Sequence, residues 1–251
     1  MAHKKGLAKL GAALVWLLIW QLAAMAMEQS FLLASPVETV QALVRVAQSP
    51  DFWGRIGFSA SRILFGYIAA LAAGSLLAAF SAVCRWAGWL LAPMVQLMKA
   101  VPVASFIILA LLWVRSENLS LLIAFLMVLP LVYTAVLEGI RQVDSSMLEM
   151  ARVFRIPATR MLGAIWLPQI WPYFLQSASV SMGLAWKSGV AAEVIGLPAQ
   201  SLGESLYQAK LYLETGELFA YTAVIVLASC LCEKGFLWLL HRLGHRWEVN
   251  R

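Results

Sequence analysis

Residues Glu149 to Pro168 read EMARVFRIPATRMLGAIWLP. The stretch is polar and basic, yet long apolar runs lie on both sides of it. Taken as a helix from residue 145 on, Met147, Met150, Ala151, Phe154 and Met161 supply an apolar set. Arg152, Arg155 and Arg160 supply a basic set. Pro157 removes an amide and restricts Ile156, so the spacing predicts two short helices meeting at Ile156-Pro157. Leu167-Pro168 and Trp171-Pro172 then lead back into an apolar run. A segment of this kind is a loop helix between membrane spans, either resting on lipid head groups or docking a soluble partner.

The surrounding composition sets that frame. Of 251 residues, 62% are hydrophobic and only 13% charged, with a net charge of +6. A soluble domain is nearer half apolar and a quarter charged. The excess implies an all-α integral membrane protein. The basic balance then reflects cytoplasmic loops and not nucleic-acid contact. Cys84, Cys230 and Cys232 lie in or beside apolar runs, with no metal-ligand spacing. They read as small hydrophobic side chains.

Six apolar runs are predicted to span, at about 10–27, 60–83, 89–114, 119–137, 165–195 and 218–240. The first follows Lys4, Lys5 and Lys9, as a signal peptide would, but AMAMEQS is a poor cleavage site, so a retained span is expected. Ser35-Pro36 opens an amphipathic helix carrying Val37, Val40, Val44 and Ala47 on one side, and Pro50 ends it. The second run carries Gly66, Ala69, Ala70, Ala73, Gly74 and Ala78, which suits close helix packing. Pro93, Lys99 and Pro102 predict a kinked or late-starting third helix. The segment 196–217 reads as a short external helix. The whole of 1–251 is one membrane domain: residues 1–34 hold the first span, 35–241 the core, and 242–251 a basic tail.

Six spans place both termini on one side. With that side inside, the inner segments carry Lys4, Lys5, Lys9, Arg85, Arg141, Arg152, Arg155, Arg160, Arg242, Arg246 and Arg251. The outer segments carry only Arg45, Arg55, Arg62, Arg115 and Lys210. The bias puts both termini, and the segment 149–168, in the cytoplasm.

Here the chain resembles the membrane-spanning permease subunits of bacterial ABC importers, whose cytoplasmic loop carries E-A-A-x-x-x-G-x9-I-x-L-P. Glu149 matches the Glu, Met150 replaces the first Ala, and Ala151 matches the second. Arg155 stands where Gly is usual, while Ile165, Leu167 and Pro168 match the I-x-L-P end. SPVETVQALVRVAQSPDFW, SASRILFGYIAALAAGSLLAAF, LMKAVPVASFIILALLWV and the GLAW and GVAAEVIG stretches resemble the nitrate/sulfonate/taurine branch, so the likeness covers about 35–241.

The resemblance implies a multi-pass protein of the bacterial inner membrane. It implies a coupling helix between spans four and five, with Glu149, Ala151, Phe154, Arg155 and Pro157 in the docking part. By the same resemblance Ile165, Leu167 and Pro168 restart the fifth span. The implied partners are two ATPase subunits that bind ATP and Mg, a second permease copy and an external substrate-binding protein. No cofactor is implied for this chain. The implied solute is small and anionic, or a vitamin precursor.

Lys187 lies within the fifth run. A central Lys costs at least about 2.5–3.5 kcal/mol in a bilayer, so it must meet a cavity or a partner. Two readings stand. Lys187 pairs with Glu193 or Glu138 or snorkels, or it lines a path for an anion together with Trp186, Glu193 and Lys99. Lys99 also reads as the cytoplasmic end of a late-starting third helix. The stretch Gly183 to Ser188 is no phosphate loop, since Trp186 occupies a position that needs Gly. His241 and His245 share a helix face without a third ligand. An ion-gradient-driven transporter would show inverted repeats and more intramembrane carboxylates. A membrane enzyme would show a catalytic cluster. Neither pattern is evident, so a non-catalytic transport subunit is the expectation.

Overall fold

The computed structural model describes residues 2–26 and 32–248. Every regular element in them is helical. In chain order they are α1 Ala2–Ala26, α2 Pro36–Ala47, α3 Phe52–Val83, α4 Arg85–Ala100, α5 Val103–Ala110 and α6 Ser116–Arg141. There follow α7 Ser145–Val153, α8 Ala158–Met161, a π-helical turn Leu162–Trp166, α9 Leu167–Gly196, α10 Leu202–Leu211 and α11 Thr215–Glu248.

α3, α6 and α9 form the packed centre. The small residues of the second apolar run explain why. Gly66, Ala70, Gly74 and Ala78 recur every four residues and are all buried in α3. A side chain on Gly66 would collide with the Leu121 carbonyl of α6, so its absence lets the two backbones meet. Ile63, Tyr67, Val128, Val132, Met182 and Trp186 fill the layer between. Two buried tyrosine hydroxyls are satisfied inside it: that of Tyr67 donates to the Ala178 carbonyl at 2.7 Å, and that of Tyr133 to Ser81 Oγ at 3.0 Å.

Around this centre the packing is thinner. α1 lies at the edge, where Trp20 Nε1 donates to the Ala34 carbonyl at 3.0 Å and its ring meets Phe219 at 5.4 Å. Leu14, Trp16, Leu18 and Leu22 remain exposed. Ser35 and Glu38 form a reciprocal capping box at the start of α2. That helix buries Thr39, Ala42 and Val46, and leaves Val37, Val40 and Val44 exposed as an apolar face.

Among the described residues, three helices are long and apolar enough to cross a membrane: α3, α6 and α11. A fourth crossing results if α4 and α5 count as one. These are fewer than the six runs marked in the sequence. α9 has the length but falls short in apolarity, because its serines, Lys187 and Glu193 interrupt it. The long apolar part described for α1 is only Leu14–Ala26. The third run matches expectation in part. It does not start late, since α4 begins at Arg85, but it is sharply bent, and α5 leaves α4 at 102°. Pro93 sits inside α4, and the break falls at Val101-Pro102, where Pro102 holds Val101 extended. Arg55 and Arg62 lie within α3, which starts eight residues before the predicted run.

Candidate functional site

Two regions gather the residues singled out in the sequence: the segment around α7, and the C-terminal half of α9.

α7 begins at Asp144, whose Oδ1 accepts from the Ser146 amide at 2.8 Å. It ends in a turn built by the backbone. The Arg155 amide donates to the Arg152 carbonyl at 3.0 Å, and the Ile156 amide to the Ala151 carbonyl at 2.9 Å. Arg155 is left-handed, with φ 49°. This is a Schellman ending with arginine at the position glycine usually takes. So the turn stays at Arg155 instead of moving to Ile156-Pro157, and Pro157 opens α8 as its cap.

The segment has two apolar sides. Ala151 is fully buried, in a cluster with Val143 and Ile165 that Leu148, Ile156 and Met161 border. Met147, Met150, Val153 and Phe154 point elsewhere: Met150 is 47% exposed and Phe154 74%. Glu149 and the arginines 152, 155 and 160 are exposed as well. Of the predicted docking set, Ala151 therefore packs against its own chain, while Glu149, Phe154 and Arg155 are accessible.

Gln169 joins this segment to α9, and the sequence reading did not single it out. Its Oε1 accepts from the Asp144 amide at 3.0 Å, and its Nε2 donates to Met147 Sδ at 3.5 Å. The one available signal was a polar residue directly after I-x-L-P. The π-helical turn lies just before it. Pro168 offers no amide to the preceding turn, and the Leu167 amide reaches back to the Leu162 carbonyl. Ile165 is buried at this turn, and Leu167 and Pro168 begin α9.

In α9, Lys187 is exposed and makes no ion pair among the described residues. The expected pairing with Glu193 does not form. Six residues on a helix put the two side chains about 120° apart, and Glu193 is fully buried with other partners. Its Oε2 accepts from Ser59 Oγ at 2.7 Å and from the Gly203 amide at 3.2 Å. Among the described residues Lys187 makes no ion pair with Glu138 either, whose carboxylate accepts from Gln142 at 2.8 Å.

Glu193 instead organises the start of α10. Ser59 Oγ accepts the Leu202 amide at 3.0 Å, Glu193 takes Gly203, and Ser201 Oγ takes Glu204 at 3.0 Å. Three side chains from separate parts of the chain thus satisfy three successive amides of a helix N-terminus. Gly203 lies so close to Glu193 that a Cβ would collide with it.

Lys187 and Trp186 line a groove between α9 and α11, with Gly183 beside them and Ile225, Val226 and Ser229 opposite. Glu193 is not among its lining residues. Lys99 lies elsewhere, in the last turn of α4, where its Nζ donates to Thr134 Oγ1 at 3.2 Å. It sits just before the break between α4 and α5.

Similarity to known proteins agrees with this arrangement. The taurine transport system permease TauC of Escherichia coli is 25% identical over 235 residues, 91% of this chain and 84% of TauC. SsuC of Escherichia coli, named for aliphatic sulfonate transport, is 27% identical over 232 residues, 92% of this chain and 88% of its own. The nitrate import permease NrtB of Synechococcus elongatus is 25% identical over 144 residues, 56% of this chain and 51% of its own. The model of one family, the binding-protein-dependent transport system inner membrane component, matches residues 63–248. With most of its length so matched, the chain belongs to that family of ABC transporter permeases.

Proposed function

We propose that this chain forms the translocation path for a small anionic solute and is driven through α7 by a separate ATPase. As a permease component it is itself non-catalytic. The working assembly in this reading is two copies of the chain, two ATPase subunits carrying ATP and Mg, and an external binding protein. α1 and α9 complete six spans, with both termini in the cytoplasm.

The observation that carries the reading is the exposed stripe Met147, Met150 and Phe154 on a helix whose other side is anchored by Ala151. These residues are spaced three and four apart, so they lie along one face. A short helix with apolar anchors fits a groove on a partner. It transmits force only if the far side is fixed, as Ala151 and Gln169 fix it here. Gln169 to Lys187 is 18 residues of α9, about 27 Å of continuous helix. Motion of α7 thereby has a rigid route to the Lys187 region. The anionic solute is supported by Lys187, an exposed cation without an ion pair on a helix read as spanning. TauC, SsuC and NrtB are named for taurine, sulfonate and nitrate transport, which fits an anion.

The test is co-purification of the chain with its ATPase. Met150→Asp with Phe154→Asp changes only exposed positions, so the variant should fold but lose the ATPase. Retained ATPase in that variant overturns the docking assignment.

A further inference from the structure

We infer that α2 lies in the boundary of the bilayer and turns Val37, Val40 and Val44 into the lipid. The inference goes beyond the translocation and docking reading, and shares with it only that α1 crosses the membrane.

The apolar surface of α2 is wider than its packing needs. Successive residues are about 100° apart around a helix. In that angular order Ala42, Val46 and Thr39 come first and are buried, and the Thr39 hydroxyl donates to the Ser35 carbonyl at 2.9 Å. Leu43, Pro36 and Ala47 follow and are half-buried. Val40, Val44 and Val37 come next and are exposed. Gln48, Gln41, Arg45 and Glu38 close the circle, all exposed. The apolar arc thus covers about 220°, whereas a helix that only packs on a core needs a stripe of about 100° or somewhat more. The surplus is valine alone.

Two contacts set the level of α2. Trp20 lies midway along Leu14–Ala26, the apolar part of α1. Its Nε1 donates to the carbonyl of Ala34, just before α2 begins, and its ring meets Phe219 of α11. So α2 starts beside the apolar part of α1 and not beyond its end. Further on, Gly216 of α11 faces Ala42 and the Glu38 carbonyl, which a Cβ on that glycine would meet at 3.5 and 3.6 Å. From Ala34 to Ala42 the chain advances eight residues. Its neighbour on α11 shifts only from Phe219 to Gly216, about 4.5 Å along that helix. α2 therefore crosses the end of α11 instead of running beside it. At 12 residues it is too short to span. This is the attitude of a helix lying in the membrane boundary.

Lipid fits the exposed sector better than protein does. Protein interfaces draw most of their affinity from Trp, Tyr and Arg, and valine is under-represented there. Val37, Val40 and Val44 offer no hydrogen bond and no ring. Gln41, Arg45 and Glu38 lie opposite the middle of the apolar arc, where head groups and water are met. Trp53, 71% exposed in the first turn of α3, supplies the aromatic ring that marks such a boundary.

The experiment is spin-label accessibility on the full chain with its ATPase in lipid nanodiscs. Cys84, Cys230 and Cys232 are replaced by alanine, and single labels enter through Val40→Cys, Val44→Cys, Gln41→Cys and Arg45→Cys, all at exposed positions. Labels at 40 and 44 should collide several-fold more with oxygen than with a water-soluble nickel chelate, at a depth of about 5–10 Å below the head groups. Labels at 41 and 45 should show the reverse preference. Labels at 40 and 44 that prefer the nickel chelate overturn the inference, because the valines then face water. So do labels there shielded from both, because a second copy or another protein then covers them. Leu18→Cys, at an exposed position of α1, is the control. A label at 18 in lipid with those at 40 and 44 in water keeps α1 as a span and sinks only the inference about α2. A label at 18 in water overturns both.

Discussion

The Ile156 amide donates to the Ala151 carbonyl at 2.9 Å across Arg155, a residue held at φ 49°. One backbone bond thus fixes where α7 stops, and it does so against the preference of arginine. A non-glycine residue in this region carries roughly 1–2 kcal/mol of strain. Arg155→Gly removes that strain but frees the unfolded chain, which offsets roughly 0.5–1 kcal/mol. The variant should be equal to the parent or stabilised by up to about 1 kcal/mol. Arg155→Val, β-branched and unsuited to positive φ, should lose at least about 1 kcal/mol. Thermal unfolding in detergent measures both, and a stabilising valine would show that the turn is not held at Arg155.

That turn also marks where sequence reading stops. Its bonds run between backbone groups, so no side-chain signature announces them, and Pro157 looked the better site for a bend. The break in the third run is similar. Pro93 and Pro102 look alike in the sequence, yet only Val101-Pro102 opens the helix. Periodic features were legible. The stripe Gly66, Ala70, Gly74, Ala78 announced a packing face, and Ser35-Pro36 announced the start of α2. The partners of Glu193 were not legible, because Ser59 lies 134 residues away and a glycine amide carries no chemical label.

Gln169 holds α7 to α9 through the Asp144 amide and Met147 Sδ. Gln169→Leu keeps the size and removes the amide's hydrogen bonds. Each typical bond contributes only about 0.5–1.5 kcal/mol, so the protein should still fold. The ATPase should still bind, since Met150 and Phe154 of the stripe are untouched. Uptake should fall several-fold while ATP hydrolysis continues. Uptake and hydrolysis falling together by the same factor would point to lost docking instead of lost transmission.

The N-terminus of α10 depends on acceptors from outside that helix. Ser59→Ala removes the acceptor of the Leu202 amide and a donor to Glu193. Leaving buried groups unsatisfied costs about 1–3 kcal/mol each. Gly203→Ala adds a methyl where Glu193 already sits. Both variants should speed hydrogen exchange at residues 202–204 by tenfold or more. Exchange in α7 should stay unchanged, because no described contact joins the two places. Unaltered protection at residues 202–204 would mean that Ser201 alone caps the helix.

Lys187 separates stability from transport more cleanly than any other residue in α9. Its ammonium makes no ion pair among the described residues, so the fold gains nothing visible from the charge. Within a bilayer the charge costs at least about 2.5–3.5 kcal/mol at mid-depth unless water or solute reaches it. Lys187→Met keeps the apolar stem and removes that cost, so assembly with the ATPase and thermal stability should be equal or higher. Uptake of an anionic solute should fall tenfold or more, and Lys187→Arg should restore part of it by keeping the charge. A purely structural lysine gives the opposite pattern: lower stability with transport per folded molecule unchanged. Measuring both quantities on one preparation of each variant distinguishes the two roles.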